Sequence, residues 1–328
     1  MDAPKDVEIT QPPSDTVSEI QFSPKAEFLA AASWDNSVRI WEIQNNSISI
    51  GKSMYSHDAP ALCVAWSTDG TKVVSGGGDN AGRMLDITTG SVSQVAAHDA
   101  PIRRIKFVES PNSSPILATG SWDKTIKMWD LRTSNPVMNI SLPERCYVMD
   151  AINPLLIVGT AERHILAFDL NNPSTPYKTE NSPLTLQTRS IACFLDKNGY
   201  VIGSIGGRVG VHYLKDQTPS KNFKFKCHRS GNNVFAVNSI SIHPATGIVA
   251  TGGSDGGINF WNTEIRSRAK SFATMPSPVT SINFNRTGDL FAYAIGYDWH
   301  KGYKFSVPTD KKTIYLHTVT PDELKKKK

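Results

Sequence analysis

The sequence predicts an all-β protein, a seven-bladed β-propeller in which each blade is a four-stranded antiparallel sheet. Short segments of alternating apolar and polar residues recur along the chain, and this period of two is that of β-strands. Asp35, Asp79 and Asp123 also mark a repeat of 44 residues, and a repeat of about 40–45 residues is the length of one propeller blade. We therefore expect a single domain over residues 1–328.

Residues 116–131 are the clearest copy of the repeat. They contain two short alternating segments around a turn at Asp123, and the second segment ends in Trp129 followed by an Asp. The same spacing of six residues between a turn Asp and a Trp occurs in residues 29–41 and 249–261. A repeat of this length that ends in Trp-Asp resembles the WD40 family.

The repeat assigns the blades in chain order. Residues 7–10 form a short alternating strand with no repeat before it, and we expect this strand to close the ring by completing the last blade. Phe168 replaces the Trp of the motif in blade four, and blade five keeps the spacing without the motif. The spans predicted for blades one to seven are residues 17–56, 61–97, 102–142, 148–168, 189–213, 237–272 and 279–317.

The composition limits the functional classes. A net charge of +5 and a pI near 8.9 favour acidic partners. The four cysteines are scattered without a Cys-x-x-Cys pair, which indicates a reduced intracellular protein without structural zinc. No apolar run approaches about 18 residues and the polar N-terminus does not resemble a signal peptide, so we expect no membrane insertion. Residues 321–328 form a basic tail. Its four terminal lysines, residues 325–328, are expected to be solvated, with RNA contact or a weak nuclear address as alternatives.

Two His-Asp pairs, at His57 and His98, suggest metal ligands or a catalytic base with its orienting carboxylate. Both pairs, however, lie at blade junctions. In the WD40 family a His at this position joins a buried hydrogen-bond chain, and His98, Thr119, Asp123 and Trp129 match all four positions of that chain. Because no metal-ligand spacing or catalytic motif appears elsewhere, we expect a structural network, no metal, no cofactor and no enzymatic activity.

Three tryptophans differ from those of the motif. Trp34 and Trp122 precede the turn Asp of blades one and three, and Trp299 follows Asp298 in blade seven. This position lies on the loop between the second and third strands, at one rim of the propeller, where there is little core to fill. Trp is enriched at binding hot spots, so we predict that these side chains bind a partner. The alternative is that each packs on its own loop.

Cationic residues gather on the same rim. They lie on equivalent loops, at blade junctions or beside Trp299: Lys124, Arg163, Arg208, Arg145, Arg229 and Lys301. The guanidinium group suits carboxylate or phosphate partners, although scattered surface charge is an equally simple interpretation of any single residue. Together with the tryptophans, these residues predict a docking site for an acidic, partly apolar peptide.

Five short motifs narrow the resemblance. They are Ser121-Trp-Asp-Lys-Thr125, Leu142-Pro-Glu-Arg-Cys-Tyr147, Gly159-Thr-Ala-Glu-Arg163, Phe225-Lys-Cys-His-Arg229 and Tyr297-Asp-Trp-His-Lys-Gly302. Over nearly the whole chain, the sequence resembles the WD40-repeat mRNA export factors of the nuclear pore. Their close paralogue, the WD40 mitotic-checkpoint protein, shares the Pro-Glu-Arg and Lys-Cys-His-Arg elements, whereas the Tyr-Asp-Trp motif resembles the export factors. Gly206 departs from the family pattern, in which we expect an acidic residue.

The resemblance implies a non-catalytic adaptor or scaffold. Members of this family bind GLEBS, a short segment of an FG-repeat nucleoporin, across the propeller rim and support poly(A) mRNA export from the nucleus. The resemblance also implies that the protein is a monomeric propeller within a heteromeric complex. Its implied location is the nucleus, at the nuclear pore complex and nuclear envelope, with a cytoplasmic pool. Contact with mRNA or mRNP and with the export machinery is a further implication.

The resemblance also implies roles for individual residues, assigned by their positions in the sequence. The residues implied to contact the nucleoporin segment are Trp34, Trp122, Arg145, Arg163, Arg208 and Arg229. Trp299 and Lys301 would form a neighbouring part of the rim that is open to other ligands, including nucleic acid. Three alternatives remain: a spindle-checkpoint adaptor that binds GLEBS-type segments of checkpoint kinases, a protein that binds RNA directly, and a propeller enzyme with polar residues converging on the central channel.

Overall fold

The structure, a computed structural model, describes residues 6–110, 113–214 and 221–325. Seven four-stranded antiparallel sheets form the blades, which confirms the predicted seven-bladed propeller. In blades one to six the strands are hydrogen-bonded in chain order from the channel outward, and in blade seven the N-terminal strand takes the outermost place. Neighbouring inner strands contact one another around the ring. Within these ranges, no helix has the length and apolar character needed to cross a membrane.

The strands are numbered in chain order. The chain begins with β1 (Val7–Glu8), and blades one to three comprise β2 (Val17–Phe22), β3 (Phe28–Ser33), β4 (Ser37–Ile43), β5 (Ser49–Ser56), β6 (Ala61–Trp66), β7 (Lys72–Gly77), β8 (Ala81–Asp86), β9 (Val92–Ala97), β10 (Ile102–Ser110), β11 (Ser113–Ser121), β12 (Thr125–Asp130) and β13 (Met138–Ser141). Blades four and five comprise β14 (Cys146–Ile152), β15 (Leu155–Thr160), β16 (His164–Asp169), β17 (Lys178–Asn181), β18 (Thr188–Cys193), β19 (Gly199–Ser204), β20 (Arg208–Tyr213) and β21 (Phe223–Lys226). A small hairpin of β22 (Arg229–Ser230) and β23 (Asn233–Val234) precedes blade six, which comprises β24 (Val237–Ile242), β25 (Val249–Gly253), β26 (Ile258–Asn262) and β27 (Ser267–Ser271). Blade seven contains β28 (Val279–Phe284), β29 (Leu290–Ile295) and β30 (Thr313–Thr318), and short 3-10 helices cover Asn45–Ser47, Ala161–Arg163, Tyr303–Phe305 and Pro321–Leu324.

The N-terminal strand closes the ring. β1 pairs antiparallel with β30 and becomes the fourth strand of blade seven, which confirms the predicted closure. The strand is shorter than predicted because the chain turns toward blade one at Thr10. The Thr10 hydroxyl donates to the Ser49 carbonyl at 2.8 Å, and the Thr10 carbonyl accepts from Trp41 Nε1 at 2.8 Å. The segment thus ties blade seven to blade one.

The C-terminal segment contacts blades six and seven. Pro321–Leu324, the first half of the predicted basic tail, is a 3-10 helix with Glu323 buried. Of the four lysines expected to be solvated, Lys325 is exposed and residues 326–328 lie outside the described ranges. His317 Nδ1 lies 2.7 Å from Asp6 Oδ1, and His317 Nε2 lies 2.9 Å from Glu323 Oε2. Burial lowers the pKa of His317, but these two carboxylates outweigh burial and raise the pKa to about 9. A protonated His317 therefore joins the N-terminal and C-terminal segments.

The apolar core lies between adjacent blades. Ala30 of blade one, for example, belongs to the same buried cluster as Val64 of blade two. Phe168 of blade four is fully buried in a cluster that also contains Met128 of blade three. A phenyl ring fills the position of the motif Trp without an N–H that needs a hydrogen-bond acceptor. Blade four therefore keeps the blade geometry although it lacks the motif.

Gly120 illustrates how closely the blades pack. A Cβ atom at this position would lie 2.5 Å from Cys146 Sγ of the next blade. At Gly51, on an outer strand, the nearest atom to an added Cβ would be 3.7 Å away. Contact between blades therefore leaves no room for a side chain at Gly120, whereas Gly51 has room for one.

Every inner strand carries a register shift at its second residue. The seven residues at these shifts are Ser18, Leu62, Arg103, Tyr147, Arg189, Asn238 and Thr280. A bulge of this kind re-aims a side chain relative to the regular alternation of the strand. Because all seven positions follow the rim loops on the innermost strands, they surround the mouth of the central channel. We call them the bulge ring.

Candidate partner-binding rim

A buried hydrogen-bond chain fixes the rim loop of blade three. His98 Nδ1 lies 2.8 Å from Asp123 Oδ2, His98 Nε2 lies 2.7 Å from Thr119 Oγ1, and Trp129 Nε1 donates to Thr119 Oγ1 at 2.9 Å. The structure thus brings the four residues of the predicted network together. Burial lowers the pKa of His98 by more than the neighbouring Asp123 carboxylate raises it, so the pKa lies below its ordinary value. Burial raises the pKa of Asp123, but hydrogen bonds from Thr125 and His98 outweigh burial and hold it below its ordinary value.

The same chain recurs in blade six. His228 Nδ1 lies 2.8 Å from Asp255 Oδ1, His228 Nε2 lies 2.9 Å from Thr251 Oγ1, and Trp261 Nε1 donates to Thr251 Oγ1 at 2.9 Å. The four-residue network predicted from the sequence lies in blade three alone. The signal was available, because each occupies the same place in its repeat as its counterpart in blade three.

The tight turn of the blade-three motif separates its two tryptophans. Ser121 Oγ accepts from the Asp123 amide at 3.0 Å, and Asp123 Oδ1 accepts from the Thr125 amide at 2.9 Å. The turn leaves Trp122 39% exposed on the rim, whereas Trp129 is 4% exposed within the core. One motif therefore supplies a buried structural indole and an exposed indole.

Trp34, Trp122 and Trp299 lie around one cavity of about 250 Å³ at the channel mouth. The rings of Trp34 and Trp299 are 4.9 Å apart between centroids, across the junction of blades one and seven. Trp34 nevertheless remains 36% exposed. Trp34 and Trp299 thus pack on each other, and all three tryptophans present apolar surface to the same opening.

The backbone that carries Trp299 is held in an uncommon conformation. Trp299 has φ of +64°, a left-handed value that is rare for a bulky residue, at the turn position where Lys124 of blade three has φ of +66°. The buried carboxylate of Asp298 accepts from Asn238 Nδ2 at 2.8 Å, lies 2.5 Å from His300 Nδ1 and also accepts from the Ser254 hydroxyl. Although burial raises the pKa of Asp298, these hydrogen bonds outweigh burial and keep it below its ordinary value. The anchored carboxylate fixes the loop that places Trp299 on the rim.

Lys124 and Arg145 share one counter-charge. Lys124 Nζ lies 2.5 Å from Glu144 Oε1, and Arg145 Nε lies 3.5 Å from Glu144 Oε2. The hydrogen bond from Lys124 lowers the pKa of Glu144 to about 2. The Arg145 guanidinium also lies 5.9 Å from the centre of the Tyr147 ring, and Arg145 borders a second cavity together with Trp122. The structure thus places Arg145, one of the predicted cations, beside a rim tryptophan.

Arg163 and Arg229 each bridge neighbouring rim segments. Arg163 Nη1 donates to the Leu184 carbonyl at 3.2 Å. Arg229 Nη2 donates to the Gly206 carbonyl at 2.7 Å, and its Nε donates to the Gly207 carbonyl at 3.1 Å. The glycine that departs from the family pattern thus offers a backbone acceptor to Arg229. Both arginines use part of their donor capacity within the protein.

The remaining predicted cations lie apart from the tryptophan cavity. Arg208 opens β20 and is partly buried, whereas Lys301 is exposed, with Nζ 6.0 Å from the centre of the Phe305 ring. The lining of the tryptophan cavity includes neither of them. Tyr303 is 74% exposed and Phe305 is 57% exposed beside Lys301. Neither aromatic is among the predicted site residues, because the loop that contains them has no periodicity.

Comparisons with known proteins agree with this architecture. The family model described as "WD domain, G-beta repeat" matches residues 7–42, 49–84, 90–130 and 220–262. The "Poly(A)+ RNA export protein" of Schizosaccharomyces pombe is 51% identical over 328 residues, which cover 99% of this chain and 93% of that protein. The "mRNA export factor GLE2" of Chaetomium thermophilum is 44% identical, with 99% and 93% covered, and "Protein Rae1" of Drosophila melanogaster is 44% identical, with 98% and 95% covered.

A solved structure supports the fold alone. The structure of U3-55K superimposes with a TM-score of 0.79 at 15% identity, and the match covers 96% of this chain and 98% of that chain. A structural match at this level of sequence identity shows the propeller architecture and does not identify functional residues.

Proposed function

The chain belongs to the family of WD40-repeat mRNA export factors, and from this premise we propose that it is a non-catalytic adaptor in the export of poly(A) mRNA from the nucleus. In this proposal the rim binds the GLEBS segment of an FG-repeat nucleoporin and so attaches the protein to the nuclear pore complex, with a cytoplasmic pool. The names of the relatives support the export role. The rim geometry supports the nucleoporin segment as the ligand.

The clustering of Trp34, Trp122 and Trp299 around one cavity is the observation that carries the proposal. Exposed indoles are costly to leave in water and are enriched at hot spots, where truncation costs about 2 kcal/mol or more. Arg145 stands beside Trp122 and is exposed. The lining of the tryptophan cavity also includes Arg103 and Arg189. An opening that combines indole rings with guanidinium groups suits a segment that combines apolar and acidic side chains.

The internal groups near the rim support an adaptor role over a catalytic one. Both ring nitrogens of His98 are engaged in the structural chain, and burial lowers the pKa of that imidazole. Burial raises the pKa of the Cys63 and Cys146 thiols to about 12, which leaves neither as a thiolate near neutral pH. These residues serve the fold.

Isothermal titration with synthetic peptides tests the choice of partner. The full chain is titrated with a nucleoporin GLEBS peptide and, separately, with the GLEBS-type peptide of a checkpoint kinase. The proposal expects tighter binding of the nucleoporin peptide. Tighter binding of the kinase peptide would assign the protein to the spindle-checkpoint alternative.

Single substitutions test whether the rim is the binding surface. Trp122→Ala and Arg229→Ala should both weaken binding of the nucleoporin peptide. Tyr177→Ala is the matched control, because Tyr177 is a 56% exposed aromatic beside an outer strand, away from the rim loops. Equal affinity of the wild type and both rim variants would refute the rim proposal.

A further inference from the structure

An aromatic cluster lies at the outer seam between blades five and six. The ring of Phe225, on the outer strand β21, lies 4.7 Å from the ring of Trp261, on β26, and 6.0 Å from the ring of Phe223, between centroids. The three rings line a cavity of about 70 Å³ together with Lys226, Arg266 and three neutral residues. The lining contains no carboxylate. The cavity thus has apolar walls and a positive charge.

This cavity lies at the opposite end of the strands from the rim tryptophans and the bulge ring. Its lining includes Thr263 and Arg266, in the turn between the third and fourth strands of blade six. The rim tryptophans lie on loops between second and third strands. Because neighbouring strands of an antiparallel sheet run in opposite directions, these two kinds of connection lie at opposite ends of a blade. The cavity accordingly shares no lining residue with the tryptophan cavity.

Cations border the apolar walls. Arg266 Cζ lies 4.6 Å from the centre of the Phe223 ring, and Arg268 Cζ lies 6.0 Å from the centre of the indole ring in the cluster. Lys226 and Arg268 are exposed and form no ion pair among the residues that the structure describes. The nearby Glu264 lies outside the cavity lining. The seam therefore offers cationic donors to a carboxylate from another molecule.

The equivalent groove between blades two and three lacks these features. It has a volume of about 270 Å³ and is lined by residues of β9, the outer strand of blade two, together with Trp129 of blade three. Trp129 is the one aromatic residue in that lining, and none of the lining residues carries a charge. The repeat alone therefore does not produce the aromatic walls and the cations between blades five and six.

The turn that carries Arg266 does not require an arginine. Arg266 has φ of +53°, a left-handed value, and Gly90 has φ of +72° at the equivalent position of blade two. In both turns the last residue of the third strand accepts from the amides two and three residues further on. Glycine adopts the left-handed conformation without steric cost. The side chain of Arg266 is therefore not needed to form the turn, and replacement by glycine can test its role in binding.

We propose that this cavity docks an acidic segment of a partner protein that inserts an aliphatic side chain. A cavity of about 150 Å³ encloses one benzene ring, so a cavity of about 70 Å³ accommodates an aliphatic side chain and is too small to enclose a nucleobase. Carboxylates on either side of that side chain pair with Lys226, Arg266 and Arg268. The proposal does not rest on nucleoporin binding, and it gives the protein a second docking surface at the opposite end of the blades.

Fluorescence anisotropy with labelled synthetic peptides tests the proposal on the full chain. The first probe is a short peptide of Asp residues around a central pair of Leu residues. The second probe has Ser in place of Leu, and the third has Lys in place of Asp. The wild type should bind the second and third probes about tenfold or more weakly than the first, because each lacks one of the two complementary features. Equal binding of the first and second probes, or no binding of the first, overturns the proposal.

Substitutions at the seam test which residues bind the first probe. Arg266→Gly and, independently, Lys226→Gln should each weaken binding about fivefold or more, as expected for loss of a charge-assisted contact at a partly exposed site. Arg266→Gly should keep the melting temperature of the wild type, because Gly90 occupies the equivalent turn position. Arg132→Gln is the matched control, since it removes an exposed arginine from the turn between the third and fourth strands of blade three and should leave binding unchanged. Equal affinity of the wild type and both seam variants, or an equal loss in Arg132→Gln, overturns the proposal.

Nuclear magnetic resonance locates the bound peptide, because the rim also suits acidic segments. The indole N–H signal of Trp261 is assigned from its loss in Trp261→Phe, which introduces the residue that blade four carries at this position. This signal should shift when the first probe is added and should stay unchanged with the third. Shifts confined to Trp34 and Trp122 overturn the proposal without affecting the nucleoporin site. Oligouridine is a further probe, and tighter binding of oligouridine than of the acidic peptide at Trp261 overturns the proposal and assigns the cavity to nucleic acid.

Discussion

Substitution of Thr119 by Val tests whether the buried hydrogen-bond chain holds blade three together. Thr119 is fully buried, and its hydroxyl contacts His98 Nε2, Trp129 Nε1 and the Lys127 carbonyl. Val has nearly the same shape, so the change removes the hydroxyl without opening a large cavity. His98 Nε2 and the indole N–H of Trp129 are then left without a partner in the core.

The expected loss follows from these two orphaned groups. A buried polar group that loses its hydrogen-bond partner costs about 1–3 kcal/mol, and relaxation of the surroundings reduces the sum. We therefore expect Thr119→Val to lower the free energy of unfolding by about 2–4 kcal/mol. Thr179→Val, on the exposed side of the outer strand β17, should change it by less than about 0.5 kcal/mol.

Urea unfolding followed by far-ultraviolet circular dichroism measures both values. A double-mutant cycle with Trp129→Phe adds a stricter criterion, because Thr119→Val should cost less when the indole N–H is already absent. If Thr119→Val costs no more than the Thr179 control, or if the two core substitutions are additive, the chain does not stabilise the blade and the reasoning is refuted.

Three further predictions concern the closure, the blade contacts and the rim. The pKa of His317 is raised from its ordinary 6.5 to about 9 on folding, so its contribution of about 2 kcal/mol should be present below pH 6.5 and lost as pH rises through about 9. Urea midpoints across this range should fall in the wild type and stay flat in His317→Gln; a flat wild-type profile contradicts the assignment. Gly120→Ala should destabilise by about 1–3 kcal/mol in calorimetric melts while Gly51→Ala does not, and equal stabilities would remove the inferred clash. In a double-mutant cycle of the free energy of unfolding, Trp34→Ala and Trp299→Ala should show a coupling energy of about 0.5–1.5 kcal/mol, and additive losses of stability would argue against contact between the two rings.

The repeat made the fold and the buried network accessible from the sequence. Each blade reuses one set of local contacts, so residues such as Thr119 and Trp129 occupy positions that the spacing alone identifies. Closure by residues 7–10 followed from the lack of a repeat before them. Blade four is recognisable although Phe168 replaces the motif Trp, because the alternation of its strands persists around that residue.

The arrangement of the rim was less accessible for physical reasons. Trp34 and Trp299 are distant in the chain and meet only because the ring closes between blades one and seven. The bulge at Arg103 shifts one residue out of the regular alternation, and the sequence pattern assigns faces only to regular strands. The pairing of Lys124 with Glu144 connects two loops that have no periodicity.

The affinity of the nucleoporin GLEBS peptide for the Trp34→Ala/Trp122→Ala double variant tests the central claim most directly. If the rim tryptophans form the binding site, the dissociation constant in isothermal titration should rise by about 30-fold or more, the equivalent of at least about 2 kcal/mol. The variant should keep the circular dichroism spectrum of the wild type, because both side chains are exposed. An unchanged dissociation constant in the folded double variant would contradict the claim.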